Sequence, residues 1–142
     1  MSERSAPVQE VSARSLLDAS PQPTVVIDGA ATIRSSNRAW KIVCQDPSGF
    51  HGKNYFIVCG VSQEQNENGL HTCQQGVADV LAGRRSLFQF DYSLKDRHYT
   101  MTATPVTEPF RGAMLVHTDN TDMVQANAQL TMLLEAPLEA LM

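Results

Sequence analysis

The sequence lacks a hydrophobic stretch long enough to cross a membrane. No apolar run in its 142 residues approaches the roughly 18 residues that a spanning helix needs. The start of the chain, Met1 to Gln9, is polar and has no apolar core of the kind that signal peptides carry. We therefore expect a cytoplasmic location, with no membrane contact within this chain, unless a larger parent protein supplies an anchor.

Basic clusters are also missing. The chain has 11 Lys and Arg against 15 Asp and Glu, which gives a formal net charge of −4, and Arg84-Arg85 is its one pair of adjacent basic residues. A nucleic-acid-binding domain needs a positive stripe or patch to attract phosphates, so we expect no nucleic-acid partner. The length and the hydrophobic share of 42% suit one compact domain with tails.

Cysteine is scarce, and its spacing is not that of a metal or haem site. Cys44, Cys59 and Cys73 form no CxxC motif, and an odd number leaves one thiol over in any disulfide scheme. Reduced, buried thiols are the interpretation that we favour over disulfides. Without a CxxCH motif covalent c-type haem is excluded, and the scattered His and Cys residues give no zinc-binding spacing.

Motifs of catalysis are absent from the sequence as well. It contains no phosphate-binding loop and no family-specific context for a nucleophile. A nucleophile and base formed by Cys59 and His51 is the catalytic alternative that the residue types leave open. We expect a protein that is not an enzyme.

What the sequence does contain is a succession of short periodic segments. Asp28-Gly29 between two apolar runs signals a hairpin, Asn37 is a residue type that caps helices, and Phe88, Phe90 and Tyr92 alternate with polar residues as in a strand. The predicted strands lie near residues 24–27, 31–35, 86–94, 97–106 and 112–118. The predicted helices cover residues 8–19, 38–45, short turns within 49–60, residues 70–82 after a cap at Asn68, and a tail from residue 119 that breaks near Pro137.

This order of elements predicts an α+β fold. The sheet has five antiparallel strands, helices are inserted between its second and third strands, and a helix flanks each end. We expect residues 1–19 to form an N-terminal tail and helix, residues 20–120 to form the main domain, and residues 121–142 to form a C-terminal output or linker helix.

Local motifs occur in the same order along the chain: Ile27-Asp28-Gly29, Ile33 and Asn37-Arg38-Ala39-Trp40 near its start, and Asp119-Asn120-Thr121-Asp122 near its end. The first set resembles the opening of many PAS domains, and the last resembles the element that closes them. The PAS domains concerned are of the type found in bacterial sensor kinases and cyclic-di-GMP enzymes. The likeness covers about residues 15 to 125. It implies a sensory domain of signal transduction, for example of a two-component system, which binds a small ligand or a partner and relays the signal through its flanking helices.

Light-sensing LOV domains are a PAS subfamily from which this sequence departs. Gly52-Lys53-Asn54-Tyr55 resembles the LOV motif Gly-x-Asn-Cys, whose cysteine bonds to a flavin after blue light. Tyr55 stands at the reactive position, and a phenol cannot replace the thiol in that adduct. We therefore expect no LOV photocycle.

The candidate ligand site lies around His117. Strand alternation places this histidine on one face with Ala113 and Leu115, and the resemblance implies that it stands where LOV domains hold a glutamine against their ligand. The alternative is a histidine at the edge of the core. The candidate residues for lining a ligand cavity are His117, Tyr55, Trp40, Phe88, Phe90, Tyr92, Met101 and Leu115. For Trp40, Phe88, Phe90, Tyr92 and Met101, packing in the core is the interpretation that we favour.

The cofactor is not identified by the sequence. A haem-binding gas or redox sensor is one alternative, with His51 in its glycine-rich turn as the candidate ligand, although a solvated loop histidine explains His51 as well. His71 lies at the polar edge of its predicted helix. The other alternative is a ligand-free module for dimerisation or protein interaction.

The flanking helices are the predicted dimer interface. Met123, Ala126, Leu130 and Leu133 follow the spacing of a coiled-coil seam. An apolar strip beside them contains Leu134, Leu138 and Leu141. The alternative is a tail that packs back on its own sheet. The partners that we expect are a second copy of the chain, an attached or separate output domain, and a small ligand.

Overall fold

The computed structural model describes the backbone of residues 12–62 and 67–141, and the side chains of residues 12–59 and 71–132. The predicted helix at residues 8–19 therefore falls partly outside the described residues. The elements are α1 (Ala13–Ala19), β1 (Thr24–Asp28), β2 (Ile33–Ser36), α2 (Arg38–Cys44), α3 (Tyr55–Ser62), α4 (Glu67–Leu81), β3 (Phe88–Leu94), β4 (Arg97–Val106), β5 (Gly112–Asp119) and α5 (Thr121–Leu141).

The strands form one antiparallel sheet in the order β2-β1-β5-β4-β3. The last strand, β5, is central and pairs with both β1 and β4. Helices α2, α3 and α4 are inserted between β2 and β3 in the chain. The predicted α+β fold with a five-stranded sheet is confirmed.

One face of the sheet carries the core. Along β5 the buried residues alternate, so that Ala113, Leu115 and His117 lie on the inner face as predicted. Val77 and Val80 of α4 are buried in the same core as this face. Apolar side chains at period two on the strands and at helical spacing on α4 therefore account for the packing.

The Asn37 side chain explains why α2 begins where it does. Its amide is fully buried, and its oxygen accepts hydrogen bonds from the backbone N–H of Trp40 (2.9 Å) and of Thr24 (2.9 Å). Its NH₂ group donates to the carbonyl of Gln22 at 2.8 Å. The asparagine thus caps the helix and ties it to the first strand, which gives a physical reason for its place in the motif.

Three predicted boundaries differ from the structure. Strand β2 begins at Ile33 instead of residue 31, because Ala31 has a φ of 63° and belongs to the turn that the Asp28 carboxylate stabilises through the N–H groups of residues 30 and 32. The segment before Tyr55 is a longer irregular loop than predicted. Helix α4 begins at Glu67, so Asn68 lies within the helix and does not cap it.

The last helix also differs from the prediction. Its backbone continues to Leu141 and does not break near Pro137. A proline removes one backbone hydrogen bond, and a helix can bend at such a residue and continue. The side chains of residues 133–141, which include the predicted Leu133, Leu134, Leu138 and Leu141, lie outside the described side chains.

Candidate functional site

A cavity of about 470 Å³ lies between helices α2 and α3 and the end of the sheet that carries the β3–β4 turn. This volume is within the range of small-molecule sites. The described residues that line it are Pro23, Trp40, Val43, Cys44, Phe50, Lys53, Ile57, Val58, Cys59, Tyr92, Leu94, Lys95, Tyr99 and His117. Most of these side chains are apolar or aromatic.

His117 forms the buried polar part of the cavity wall. Its Nε2 lies 2.8 Å from the Tyr55 hydroxyl, and its Nδ1 lies 2.7 Å from the Tyr92 hydroxyl. Its backbone N–H donates to the carbonyl of Pro23 at 2.8 Å. The side chain is only 5% exposed, and burial lowers the pKa of the imidazole from 6.5 to about 4. His117 is therefore neutral at physiological pH and has both ring nitrogens satisfied by tyrosines.

The two tyrosines have complementary roles beside this histidine. A neutral imidazole has one N–H donor and one acceptor nitrogen, so one tyrosine hydroxyl donates to the ring and the other accepts from it. Burial raises the pKa of Tyr55 and that of Tyr92, so both stay protonated. Tyr92 itself lines the cavity. Its hydroxyl can both donate and accept, so a ligand in the cavity can form a hydrogen bond with it besides the one to His117.

Trp40 holds this cluster against α2. Its ring centroid lies 5.4 Å from that of His117 and 6.0 Å from that of Tyr55, and its Nε1–H donates to the carbonyl of Gly49 at 2.9 Å. Aromatic rings packed at such distances attract each other beyond simple burial. The indole therefore stands as a rigid wall between the helix and the histidine.

The predicted site residues fall into three groups. His117, Trp40 and Tyr92 line the cavity, while Tyr55 stands one step behind them and contacts His117. Phe88, Phe90, Met101 and Leu115 lie further along the sheet, outside the cavity lining. The register of the sheet explains this separation. Met101 on β4 is paired with His117 on β5 and with Phe90 on β3. The next inner-face residues along the strands belong to the same core as the buried residues of α4.

The haem candidate His51 and the polar-edge His71 are both exposed, and neither lines the cavity. Among the described residues there is no group of three His, Cys, Asp or Glu side chains close enough to hold a metal ion. The described helices also include none that is long and apolar enough to span a bilayer.

None of the three cysteines forms a disulfide, and all three are at least half-buried. Burial raises the pKa of Cys59 and of Cys73 to about 12, and that of Cys44 to about 11. A nucleophilic cysteine needs a lowered pKa, since the thiolate is the reactive form. Cys59 is therefore a poor nucleophile in this structure.

Several lining residues were missed by the sequence analysis. Val43 and Ile57 are exposed on helices α2 and α3, and Phe50 has a left-handed φ of 61° in the loop between them. Tyr99 faces Tyr92 across the β3–β4 hairpin, which the alternation of the two strands did indicate. No sequence pattern indicated that Val43 and Ile57 line the cavity, because the positions of α2 and α3 depend on the path of the loop between them.

The end of β5 is fastened to the start of α5. One Asp119 carboxylate oxygen accepts from the N–H (3.0 Å) and the hydroxyl (2.6 Å) of Thr121, while the other accepts from Arg97 at 2.7 Å. These bonds lower the pKa of Asp119 to about 2. The Thr121 hydroxyl also accepts from the N–H of His98 on β4. The junction between the sheet and the C-terminal helix is therefore well defined.

The chain matches no protein-family model, and no curated protein is significantly similar to it in sequence. Its structure is similar to the PAS domain of BvgS from Bordetella pertussis (20% identity, TM-score 0.59), with 87% of this chain and 94% of that one covered. The photoactive yellow protein domain of the sensor histidine kinase Ppr from Rhodospirillum centenum has 18% identity and a TM-score of 0.57, with 74% and 92% covered.

The sensor region of a sensor histidine kinase is a third similar structure, with 14% identity and a TM-score of 0.56. The match covers 71% of this chain and 40% of that one. Strand order, the helices inserted between the second and third strands, and these similarities agree with one another. The protein therefore has the PAS fold.

Proposed function

We propose that this chain is a sensory domain that binds a small, largely apolar ligand in the cavity beside His117 and relays its presence through α5. The observation that carries the proposal is the cavity itself, about 470 Å³ in volume, with His117 and Tyr92 as polar groups in an otherwise mostly apolar wall. Apolar walls with a few convergent polar groups are the usual composition of small-molecule sites.

In this proposal the signal passes from His117 along β5 to the start of α5. His117 lies on β5, and the latch of Asp119 and Thr121 begins two residues later. A ligand that shifts His117 would act directly on β5, and one that shifts Tyr92 would act on β3 and, through the pair of Tyr92 with Tyr99, on β4. The latch joins β5 and β4 to α5. Such a ligand can shift the conformational population only by the difference in its affinity for the two states.

In this proposal residues 20–120 form the sensor and residues 121–142 the output or linker helix, attached to or contacting an output domain. The domain regulates and is not an enzyme. We place it in the cytoplasm, because Cys44, Cys59 and Cys73 form no disulfide and thiols stay reduced in that compartment.

A cavity-blocking variant tests ligand binding. Val43 lines the cavity with a 64% exposed side chain, so Val43→Trp will obstruct the cavity without overpacking the core. We expect compounds that native mass spectrometry identifies as bound to the protein to raise the free energy of unfolding of the wild type. The increase should be about 2.7 kcal/mol at a hundredfold excess over Kd. The stabilisation should be lost in Val43→Trp.

The matched control is Ile42→Trp, because Ile42 is 67% exposed on the same helix but does not line the cavity. This variant should keep the stabilisation, which is measured as a thermal shift for all three proteins. Equal shifts in the two tryptophan variants would show that the compounds bind elsewhere and would refute the proposal.

A second candidate function is a ligand-free dimerisation module. The observation that favours it is the exposed apolar surface of α5, where Met123 is 60%, Leu130 is 55% and Met132 is 68% exposed. Over residues 121–132 these side chains do not pack back on the sheet, which was the alternative considered from sequence. Leu16 on α1 is also exposed, at 63%.

Light scattering on a chain ending at Asp122 tests the dimer. We expect the full chain to be dimeric and the shortened chain to be monomeric, because a 21-residue helix with an apolar face needs a partner surface. In the full chain, Leu130→Glu should also weaken association, whereas Gln129→Glu on the same exposed turn should not. An unchanged association state in the shortened chain would exclude α5 as the interface and point to α1.

A further inference from the structure

We propose that the cavity selects ligands with an apolar, preferably aromatic body and one negative charge, of which an aryl carboxylate is the simplest example. The inference rests on the proposed ligand-binding function. It concerns the chemical class of the ligand, and it is carried by the charges around the cavity and not by its volume.

Both charged side chains among the described lining residues are positive. They are Lys53 and Lys95, and no Asp or Glu is found among the described residues that line the cavity. None of the ion pairs between described residues involves either lysine. A carboxylate ligand would therefore meet two ammonium groups, and a cationic ligand would be repelled by them.

The two lysines are held on well-defined backbone. Lys53 lies in the loop before α3, where its N–H donates to the carbonyl of Phe50 and its carbonyl accepts from the N–H of Ile33. Lys95 occupies the two-residue β3–β4 turn, with a φ of 50° at Lys95 and of 66° at Asp96. Tight hairpin turns of this left-handed kind place their residues reproducibly.

Asp46 is a carboxylate that competes for Lys53, because the two charges attract each other, and its pKa is lowered mainly by hydrogen bonds. Asp46 accepts from the hydroxyl of Ser48 at 2.6 Å and from the N–H of Phe50 at 2.7 Å. It is therefore engaged in its own loop, and it does not line the cavity. The charge that Lys53 presents to the cavity is reduced by this neighbour but not cancelled.

The buried wall of the cavity carries no charge, in contrast to the two lysines. His117 is neutral, and its two nitrogens are occupied by Tyr55 and Tyr92. A buried charge without a partner is costly, so a ligand's carboxylate has no favourable place beside this wall. Trp40 and Tyr99 instead offer aromatic surface to the body of the ligand. Both lysines are exposed, so the ligand's charge should remain at the solvent side of the cavity.

Three probes that share one apolar body test the inference by calorimetric titration: phenylbutyrate, phenylbutyramide and phenylbutylamine. We expect phenylbutyrate to bind the wild-type protein about tenfold more tightly than the neutral amide, and the amine to bind more weakly than either. The preference for the acid should decrease as salt is added, because salt screens exposed charges.

The double variant Lys53→Gln and Lys95→Gln should bind the acid and the amide with equal affinity. Lys41→Gln is the matched control, since Lys41 does not line the cavity, and it should keep the preference. If the wild type binds amide and acid equally, or if the double variant keeps the preference, the charge selection is refuted while ligand binding stands. If no probe binds, this ligand class is excluded, and the Val43→Trp experiment alone decides the proposed function.

Discussion

Stability should fall as the pH is lowered from about 6.5 to about 4, because the folded protein holds His117 in its neutral form. The pKa of this imidazole is lowered from 6.5 to about 4 by burial, so the unfolded chain binds the proton more tightly than the folded one. The stabilisation is fully present above the unfolded pKa and is lost as the pH approaches the folded pKa. Linkage gives a loss of about 3 kcal/mol in the free energy of unfolding over this window.

The pH range distinguishes the protonation of His117 from that of the hydrogen-bonded carboxylates. Hydrogen bonds from Arg97 and Thr121 lower the pKa of Asp119 to about 2, so its contribution is lost only at lower pH. Urea unfolding at a series of pH values measures the slope. His117→Gln should remove most of the slope between pH 6.5 and 4, and His71→Gln, at an exposed position, should leave it unchanged. A wild type as stable at pH 4 as at pH 7 would contradict the neutral, buried histidine.

Gly112→Ala should be strongly destabilising, with a loss of about 4 kcal/mol in the free energy of unfolding or failure to fold. A Cβ at this position would lie 2.0 Å from the carbonyl oxygen of Ile27, a backbone atom of the neighbouring strand. Gly112 pairs with Asp28 in the β1–β5 ladder. Because a backbone oxygen cannot rotate away as a side chain can, the two strands would have to separate.

Gly29→Ala is the control for this substitution. Gly29 lies in the turn that follows β1, and an added Cβ would meet no atom within 4 Å. Its free energy of unfolding, measured by urea titration, should stay within about 0.5 kcal/mol of the wild-type value. If Gly112→Ala unfolds at the same urea concentration as Gly29→Ala, then β1 and β5 do not approach as closely as the structure shows.

Local signals made most of the fold predictable. The Asp28-Gly29 turn, the cap at Asn37 and the alternation of Phe88, Phe90 and Tyr92 each depend on near neighbours, and the structure places a turn, a helix start and a strand at these positions. The errors lie at boundaries. They arise where a residue such as Ala31 adopts a left-handed φ that its type does not favour.

The site was only partly predictable, for a different reason. His117 was assigned to the inner face by alternation, and that placement agrees with its burial. The cavity, however, is formed by α2 and α3, whose positions depend on the loop between them. In that loop Gln45 has a φ of 55° and Phe50 a φ of 61°. Neither glutamine nor phenylalanine favours a left-handed φ, so the sequence did not indicate this loop path. It therefore could not predict that Val43 and Ile57 line the same cavity as the histidine.

The two-residue turn between β3 and β4 limits how the chain can change length. Leu94 pairs with Arg97, and the register continues to the pair of Phe88 with Ala103. Because successive strand residues face opposite sides of the sheet, one residue inserted at this turn would reverse every side chain of one strand relative to the other. Tyr99 would leave the cavity and Met101 would leave the core in a single step. Insertions and deletions should therefore be tolerated in the loop between β4 and β5 but not at Lys95 and Asp96.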